Sequence, residues 1–403
     1  MNVLFLTLTD FKDINERGIY YDLIRKIVNE GHRVHVISPI ERRFKKNTTI
    51  TQSDKLVILR VKTLNIQKSS IIEKGLGTLL IEHQFKSAIK RFFADTKFAL
   101  VIYSTPPITF SKVVEFVKKR DNAKTYLLLK DIFPQNAVDL GYFSKSSILY
   151  KFFRKKEKKL YSISDRIGCM SPFNCKYLQI HNSELDSRKI HVNPNSIEIV
   201  EKVNISESQK QEIRVKYSIP NDATVYIYGG NIGRPQGISF LIKLLNEFIN
   251  NSKVFFLIIG SGTEYGQIEK WYKTYFPNNV ILLKYLPKNE FDTLTSISDV
   301  GLIFLDPRFT IPNFPSRLLS YLDYSLPVLA ATDKNTDIGL IIENNNFGLW
   351  CENGNLEEMI KHINYFVLNP EKRISMGNNG NQFLRLNYSV EISYKNIFYE
   401  TPM

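Results

Sequence analysis

Cysteine is scarce in this chain of 403 residues: Cys169, Cys175 and Cys351 are all it has. Three thiols cannot build a disulfide framework, and none has the spacing of a zinc site. Buried or incidental thiols of a reducing compartment are expected. Asp-x-Asp occurs nowhere, so the carboxylate pair that fixes the metal of a nucleotide diphosphate is missing. No Walker P-loop and no G-x-G-x-x-G opens the chain, which counts against kinases and dinucleotide oxidoreductases. The six histidines are scattered, and His32 and His35 in an early strand read as structural. No apolar run approaches the ~18 residues of a membrane-spanning helix. The N-terminus lacks a basic start and reaches Asp10 too soon for a signal peptide. The expectation is a cytoplasmic protein, at most peripherally attached to a membrane. There is no internal repeat and no low-complexity segment.

The charge is unevenly spread. Lys and Arg number 54 against 40 Asp and Glu, a balance of +14. Residues 1–200 carry 35 basic and 19 acidic residues, and residues 201–403 carry 19 and 21. The whole excess lies in the first half. That excludes a uniformly basic nucleic-acid coat and suggests a two-part molecule with one basic face.

Short β-rich apolar runs alternate with amphipathic helical stretches from end to end. Strands are expected at 3–9, 34–38, 56–61, 99–104, 126–130, 166–170 and 191–193, then at 225–230, 254–260, 280–285, 300–305, 327–331 and 347–351. Helical patterns fall at 19–30, 110–120, 238–250 and 357–367. Such alternation is the signature of parallel sheets covered on both faces. The polar run 198–222 ends in Pro220-Asn221-Asp222 just before a new strand, and reads as the entrance to a second domain. Two doubly wound α/β domains facing each other are expected: residues 1–200, completed by a C-terminal helix at 386–403, and residues 201–385. Ligands of such sheets sit at the carboxyl ends of the strands.

Three motifs fall at those ends. Gly229-Gly230-Asn231-Ile232-Gly233-Arg234-Pro235-Gln236-Gly237 closes a strand and precedes a helix. Its glycines admit close backbone approach, and the helix N-terminus suits a diphosphate, with Arg234 adding a charge-assisted contact; a glycine-rich turn without a ligand fits the same residues. After the strand at 300–305, Pro315-Ser316-Arg317 reads as a helix start, with Pro315 in its first turn and Arg317 as a second anion-binding cation; a merely solvated Arg317 is the alternative. In the first half, Lys130 and Asp131 stand at the mouth of an apolar strand, either as site residues or as an ordinary surface pair. The first βα loop, with Arg17 and Gly18, could close the site. Finally, 150–161 interleaves six basic residues with aromatics. On a helix, Leu149, Phe152, Phe153 and Leu160 could share one face, with Arg154, Lys155, Lys158 and Lys159 on the other. That is the pattern of an interfacial anchor on anionic lipid, helped by Arg42, Arg43, Lys45 and Lys46; a solvated face over inward-packed rings is the alternative.

The residues Gly230-Asn231-Ile232-Gly233-Arg234-Pro235-Gln236-Gly237 resemble the "GNIGRAQG" signature of family 4 glycosyltransferases, in the O-antigen and capsule branch of L-fucosamine (FucNAc) transferases. Pro315-Ser316-Arg317-Leu318-Leu319-Ser320-Tyr321 is similar to that branch's "PSK-I-Y-S-Y" helix start. Lys130-Asp131-Ile132-Phe133-Pro134 resembles its "RDLWP", and Ile259-Gly260-Ser261-Gly262-Thr263-Glu264 its "VGDGPE". Met170-Ser171-Pro172 and Pro194-Asn195 match too, in order along nearly the whole chain. The resemblance implies a GT-B fold of two facing Rossmann-like domains, the second binding the nucleotide-sugar donor. It also implies transfer with retention, usually without a metal.

Some positions depart from that pattern. The family's glutamate pair corresponds to Pro312 and Ser320, its donor-loop lysine to Gln236, and the histidine before Asp131 to Lys130. Arg234 and Arg317 are left as the diphosphate cations. The resemblance thus implies a retaining, metal-independent glycosyltransferase with no cofactor, moving a sugar from a UDP-type donor to a polyprenyl-diphosphate-linked saccharide at the anionic inner leaflet. Lys130, Asp131, Arg234 and Arg317 are the expected catalytic residues. Gly18, Gly230, Asn231, Gly233, Gln236, Ser316 and Ser320 are expected at the donor, with its uracil near Tyr285, Leu286 and Pro287. A nucleotide-sugar epimerase of the same fold and a nucleic-acid-binding protein are the alternatives. The first would bring more carboxylates and a histidine to the site, and the second leaves the neutral half unexplained.

Overall fold

The computed structural model describes residues 1–66, 71–201 and 205–399. The chain divides into two units, Met1–Glu198 with Ser389–Met403, and Ile199–Tyr388. The first holds an eight-stranded sheet of order β3-β4-β2-β1-β5-β6-β7-β8. Its strands are β1 (Asn2–Leu6), β2 (Arg33–Glu41), β3 (Thr49–Gln52), β4 (Leu56–Thr63), β5 (Leu100–Ser104), β6 (Lys124–Leu129), β7 (Arg166–Cys169) and β8 (Ile190–Val192). All neighbours are parallel except β3, which runs antiparallel on β4. Central strands of such a sheet are covered on both faces, so they read as unbroken apolar runs. Val3, Leu4, Phe5 and Leu6 of β1 are accordingly all buried.

The second unit holds an all-parallel six-stranded sheet of order β11-β10-β9-β12-β13-β14. Its strands are β9 (Thr224–Asn231), β10 (Val254–Ser261), β11 (Val280–Leu283), β12 (Val300–Phe304), β13 (Val328–Thr332) and β14 (Gly348–Glu352). Helix Ile238–Glu247 buries Ile238, Leu241, Leu244 and Leu245, a stripe at helical spacing. It joins Tyr226, Tyr228, Phe256 and Phe304 in one core. Burying each such Leu is worth about 1.5–3 kcal/mol.

The expected α/β alternation is thus observed, and among the elements outside the expected segments two have a plain physical reason for leaving no pattern. Strand β3 lies wholly exposed, so no apolar pattern marks it. The polar run 198–222 carries helix Glu207–Lys216, started by a capping box between Ser206 and Gln209; such a cap needs no hydrophobic stripe. Residues 202–204 of that run lie outside the described residues. At the other end, the chain returns to the first unit through a parallel bridge between Ile197 and Ser389. Helix Val390–Phe398 packs Val390, Tyr394, Ile397 and Phe398 against Ile24 and Ile27. Tyr394 meets His32 Nε2 at 2.9 Å, and Glu391 pairs with Lys26 at 2.6 Å. Residues 400–403 of the expected terminal helix lie outside the described residues.

Candidate functional site

The glycine loop caps β9 in the second unit, at the carboxyl end of the strand. Gly230 has φ +114°, a value that strains any residue with a Cβ. A Cβ at Gly229 would lie 2.4 Å from the Phe291 ring, so glycine is required there by contact. Phe291 belongs to helix Lys288–Ser296, whose first turn follows Tyr285, Leu286 and Pro287. Tyr285 is exposed. The loop's shape is fixed from within. Asn231 Nδ2 donates to Gln236 Oε1 at 2.8 Å, and the Gly233 N–H donates to the same oxygen at 3.2 Å. Gln236 and Asn231 therefore staple the loop as well as standing in it. Arg234 is exposed at the start of a 3₁₀ turn.

Beneath the loop lies Arg317. Its guanidinium sits over the Tyr228 ring, 4.2 Å from the centroid. Nη2 donates to the Asn231 carbonyl at 3.4 Å, and Nη1 is buried without a partner among the described residues. A Cβ at Gly230 would be 3.7 Å from Nη2, so loop backbone and cation are neighbours. Tyr321 completes the support. Its ring fills the space that a Cβ at Gly301 would contest at 2.3 Å. Its hydroxyl accepts from the Gly229 N–H at 3.2 Å and donates to the Leu302 carbonyl. The helix starts at Arg317 with Ser316 as N-cap, so Pro315 stands before it and not in its first turn. Ser316 is exposed and Ser320 half-buried. Pro312 is buried, so the position resembling a family glutamate offers no carboxylate.

In the first unit, Lys130 and Asp131 follow β6. Thr105 Oγ1 accepts from both of their N–H groups, at 3.0 and 3.2 Å, and donates to the Asp131 carbonyl. Asn136 Nδ2 donates to both Asp131 carboxylate oxygens, at 2.8 and 2.7 Å. Among the described residues, Lys130 Nζ reaches the Asn193 carbonyl alone, at 3.4 Å. Burial raises the Asp131 pKa to about 6 and lowers that of Lys130 to about 7. No ion pair joins the two among the described residues. Lys130, Asn195, Ser196 and Tyr20 line a small cavity beside the first turn of helix Ile19–Asn29. Gly18, expected at the donor, caps that helix and gives its N–H to Asp22 Oδ1 at 3.3 Å.

The basic helix is Ile148–Ile163, and here the expected division of faces is corrected. Phe153 turns inward, edge-on to Phe133 at 5.0 Å, and Leu160 is fully buried. Leu149 and Phe152 point outward with Ile148, which is 86% exposed. The physical reason is spacing. Phe153 and Leu160 are seven apart and share the inward face, and Phe152 is turned from it by about 100°. Leu149 falls on the same stripe but stands in the exposed first turn beside Ile148. Arg154 also turns inward. It donates to Glu157 Oε2 at 2.5 Å, to the His181 carbonyl at 2.7 Å and to Asn182 Oδ1 at 2.6 Å. It serves the buried Glu157 and not the solvent face. Lys155 is exposed. Lys158 and Lys159 are half-exposed and pair with Glu184 and Glu115 at 2.9 and 3.1 Å.

Among the described residues no cluster of His, Cys, Asp and Glu could hold a metal ion, and no helix is long and apolar enough to cross a membrane.

Residues 209–383 match the family described as "Glycosyl transferases group 1". The chain is 23% identical over 337 residues to the probable glycosyltransferase WbjE of Pseudomonas aeruginosa, covering 81% of this chain and 79% of that protein. Its fold is similar to HepE of Anabaena, solved in complex with UDP-glucose, with a TM-score of 0.69, 14% identity and 98% of each chain covered. It is also similar to WaaG, a glycosyltransferase involved in lipopolysaccharide biosynthesis, with a TM-score of 0.68, 13% identity, and 98% and 99% of the two chains covered. The fold is GT-B. With a group 1 domain over 209–383 and a glycosyltransferase relative along most of its length, the chain is a glycosyltransferase.

The two perturbed groups of the first unit give a pH signature. Asp131, with its pKa raised by burial, favours the folded state below about pH 4, and this contribution is lost as pH rises through about 6. Lys130, with its pKa lowered by burial, costs stability where the unfolded lysine is charged, and that cost fades as pH rises from about 7 towards 10.5. Urea unfolding across pH should therefore show a flatter slope between pH 4 and 6 for Asp131→Asn, and between 7 and 10 for Lys130→Met.

Proposed function

We propose that the chain moves a sugar, with retention and without a metal, from a UDP-type nucleotide sugar to a hydroxyl of a polyprenyl-diphosphate-linked saccharide in surface polysaccharide synthesis. One observation carries the reading: the Arg317 guanidinium, partly buried under a glycine loop, keeps Nη1 without a partner among the described residues. A cation in that position is suited to the charge that grows on a leaving diphosphate. During transfer the bond from the anomeric carbon to the diphosphate oxygen breaks. A bond to the acceptor oxygen forms on the same face, and the proton of that hydroxyl passes to the departing diphosphate oxygen, which has taken the electron pair of the broken bond. Arg317 and loop N–H groups would stabilise the leaving group, with Arg234 as a second, exposed cation. Uracil would lie by Tyr285, Leu286 and Pro287, and Lys130 and Asp131 would orient acceptor or sugar. The UDP-glucose complex of HepE and the resemblance of the donor loop support the donor class. The lipopolysaccharide role of WaaG and the likeness to O-antigen and capsule enzymes support the pathway class, with N-acetylated amino sugars first in a donor screen.

Arg317→Ala tests the reading. It should cut kcat/KM by roughly 10²-fold, since a lost donor to a developing anion is worth ~3 kcal/mol. Thermal melting should change little, because the side chain makes one long hydrogen bond among the described residues. Activity within threefold of wild type would remove Arg317 from the mechanism. The sequence lacks Asp-x-Asp, so turnover should also survive EDTA; loss restored by Mg²⁺ or Mn²⁺ would overturn metal independence.

A lipid-linked acceptor places the enzyme at the inner face of the cell membrane. The outward residues of helix Ile148–Ile163 suit that surface: Ile148, Leu149 and Phe152 are exposed beside Lys151 and Lys155. Each basic residue near an anionic leaflet is worth about 1 kcal/mol. The protein should sediment with phosphatidylglycerol vesicles but not with phosphatidylcholine ones, and release as salt rises. Replacing Lys151, Lys155, Lys158 and Lys159 with Ser should abolish sedimentation while turnover of a short soluble acceptor stays near wild type. A quadruple variant that still sediments would show these lysines to be only solvated.

A further inference from the structure

The second unit has a polar cavity at the end of its sheet remote from the glycine loop. The cavity measures about 250 Å³ and lies where β9 and β12 begin, at Thr224 and Asp299. Lys210 and Arg214 of helix Glu207–Lys216 line it, with Arg373 of helix Pro370–Asn387. Lys210 and Arg214 are four apart and share one helix face.

The acids around the cavity are largely committed. Asp299 Oδ2 accepts from Arg214 Nη2 at 3.1 Å and from the Val225 N–H at 2.8 Å. Asp222 pairs with Lys253 at 2.5 Å. Glu207 is exposed in the first turn of its helix. The bases are not matched in the same way. Lys210 and Arg373 have no carboxylate partner among the described residues. Arg373 Nη1 spends itself on the Phe366 carbonyl and, at 3.4 Å, on Thr224 Oγ1. Arg214 is 5% exposed. Its Nη1 donates to the carbonyls of Pro220, Asn221 and Ala223, yet its Nε is buried without a partner.

Two cations without a carboxylate partner among the described residues therefore line one space, beside the buried Arg214 and the exposed Glu207. Pockets for drug-sized ligands run to about 300–1,000 Å³, so this one suits a small anion. We propose that the cavity is a second, phosphate-class oxyanion site, independent of the nucleotide-sugar site, with Lys210 and Arg373 as its charged walls. Guanidinium and ammonium groups are the usual partners of phosphate oxygens.

Titration calorimetry of the full chain with inorganic phosphate, at ionic strength matched with sodium chloride, tests this. Wild type should bind saturably at millimolar phosphate, and Arg317→Ala should bind as wild type does. Lys210→Ser should weaken binding roughly tenfold, the effect of one charge-assisted contact. The Lys210 side chain makes no hydrogen bond among the described residues, so the fold tolerates its loss; Arg373→Gln serves as the second variant, with melting checked. Absence of saturable binding in wild type overturns the proposal. So does binding that Lys210→Ser leaves intact. If Arg317→Ala abolishes it instead, phosphate sits at the glycine loop, and the donor reading stands while this site falls.

Discussion

The Arg317 guanidinium lies over the Tyr228 ring with no carboxylate paired to it among the described residues, and the local backbone is shaped to that arrangement. Taking a cation out of water costs several kcal/mol unless a partner replaces the lost hydration. A ring face returns about 0.5–2 kcal/mol, and the 3.4 Å contact to the Asn231 carbonyl adds little. Nη1 has no partner among the described residues. The elements around it hold steady without it: Tyr321 fixes the Gly229 N–H, Gly301 makes room for Tyr321, and Gln236 clamps Asn231 and Gly233. Rigid surroundings and an unsatisfied donor together suit the preorganised anion contact proposed for the donor diphosphate.

The first unit meets the same problem by another route. Lys130 and Asp131 are adjacent in sequence but do not neutralise each other. Thr105 takes both N–H groups, and Asn136 holds the carboxylate with neutral donors. A direct ion pair would have pinned both charges. Burial instead pulls the two pKa values towards neutrality from opposite sides, to about 6 and about 7. Groups poised in this way can exchange protons or reorient near physiological pH at modest cost.

What was legible in the sequence is what repeats or what glycine alone permits. Unbroken apolar runs announced the parallel strands because burial on both faces leaves no polar alternation. The loop at 229–237 was legible because Gly230 adopts φ +114° and Gly229 faces a ring. Side chains with two plausible duties were not. Gln236 read as a ligand contact, yet its oxygen ties the loop, since an amide satisfies backbone N–H groups as readily as a substrate. Arg154 read as a surface cation, yet it answers the buried Glu157 from the next turn. Composition could not separate these cases, because a basic run looks the same whether its acids lie on the next helix or nowhere. Strand β3 and helix Glu207–Lys216 bury too little to leave a pattern.

Pairing, more than net charge, therefore decides which cations are available. The first half of the chain carries the whole basic excess, but much of it is answered within the fold. Arg25 meets Asp22 and Glu198, Arg60 meets Asp10, Lys118 meets Asp165, and Arg120 meets Asp121. Lys151 and Lys155 are exposed with no acid partner among the described residues, beside the outward Ile148 and Phe152. The near-neutral second unit shows the converse. Its acids are as numerous as its bases, yet Arg317, Lys210 and Arg373 pair with none of them among the described residues. A cation whose counter-ion has been withheld by the fold retains its pull on an external anion, whereas one already in an exposed pair contributes about 0–1 kcal/mol and is screened by salt. Local withholding of carboxylates is thus the common device. On the readings proposed above, it is what the glycine loop, the outer face of the basic helix and the cavity at the base of β9 would offer to negative partners.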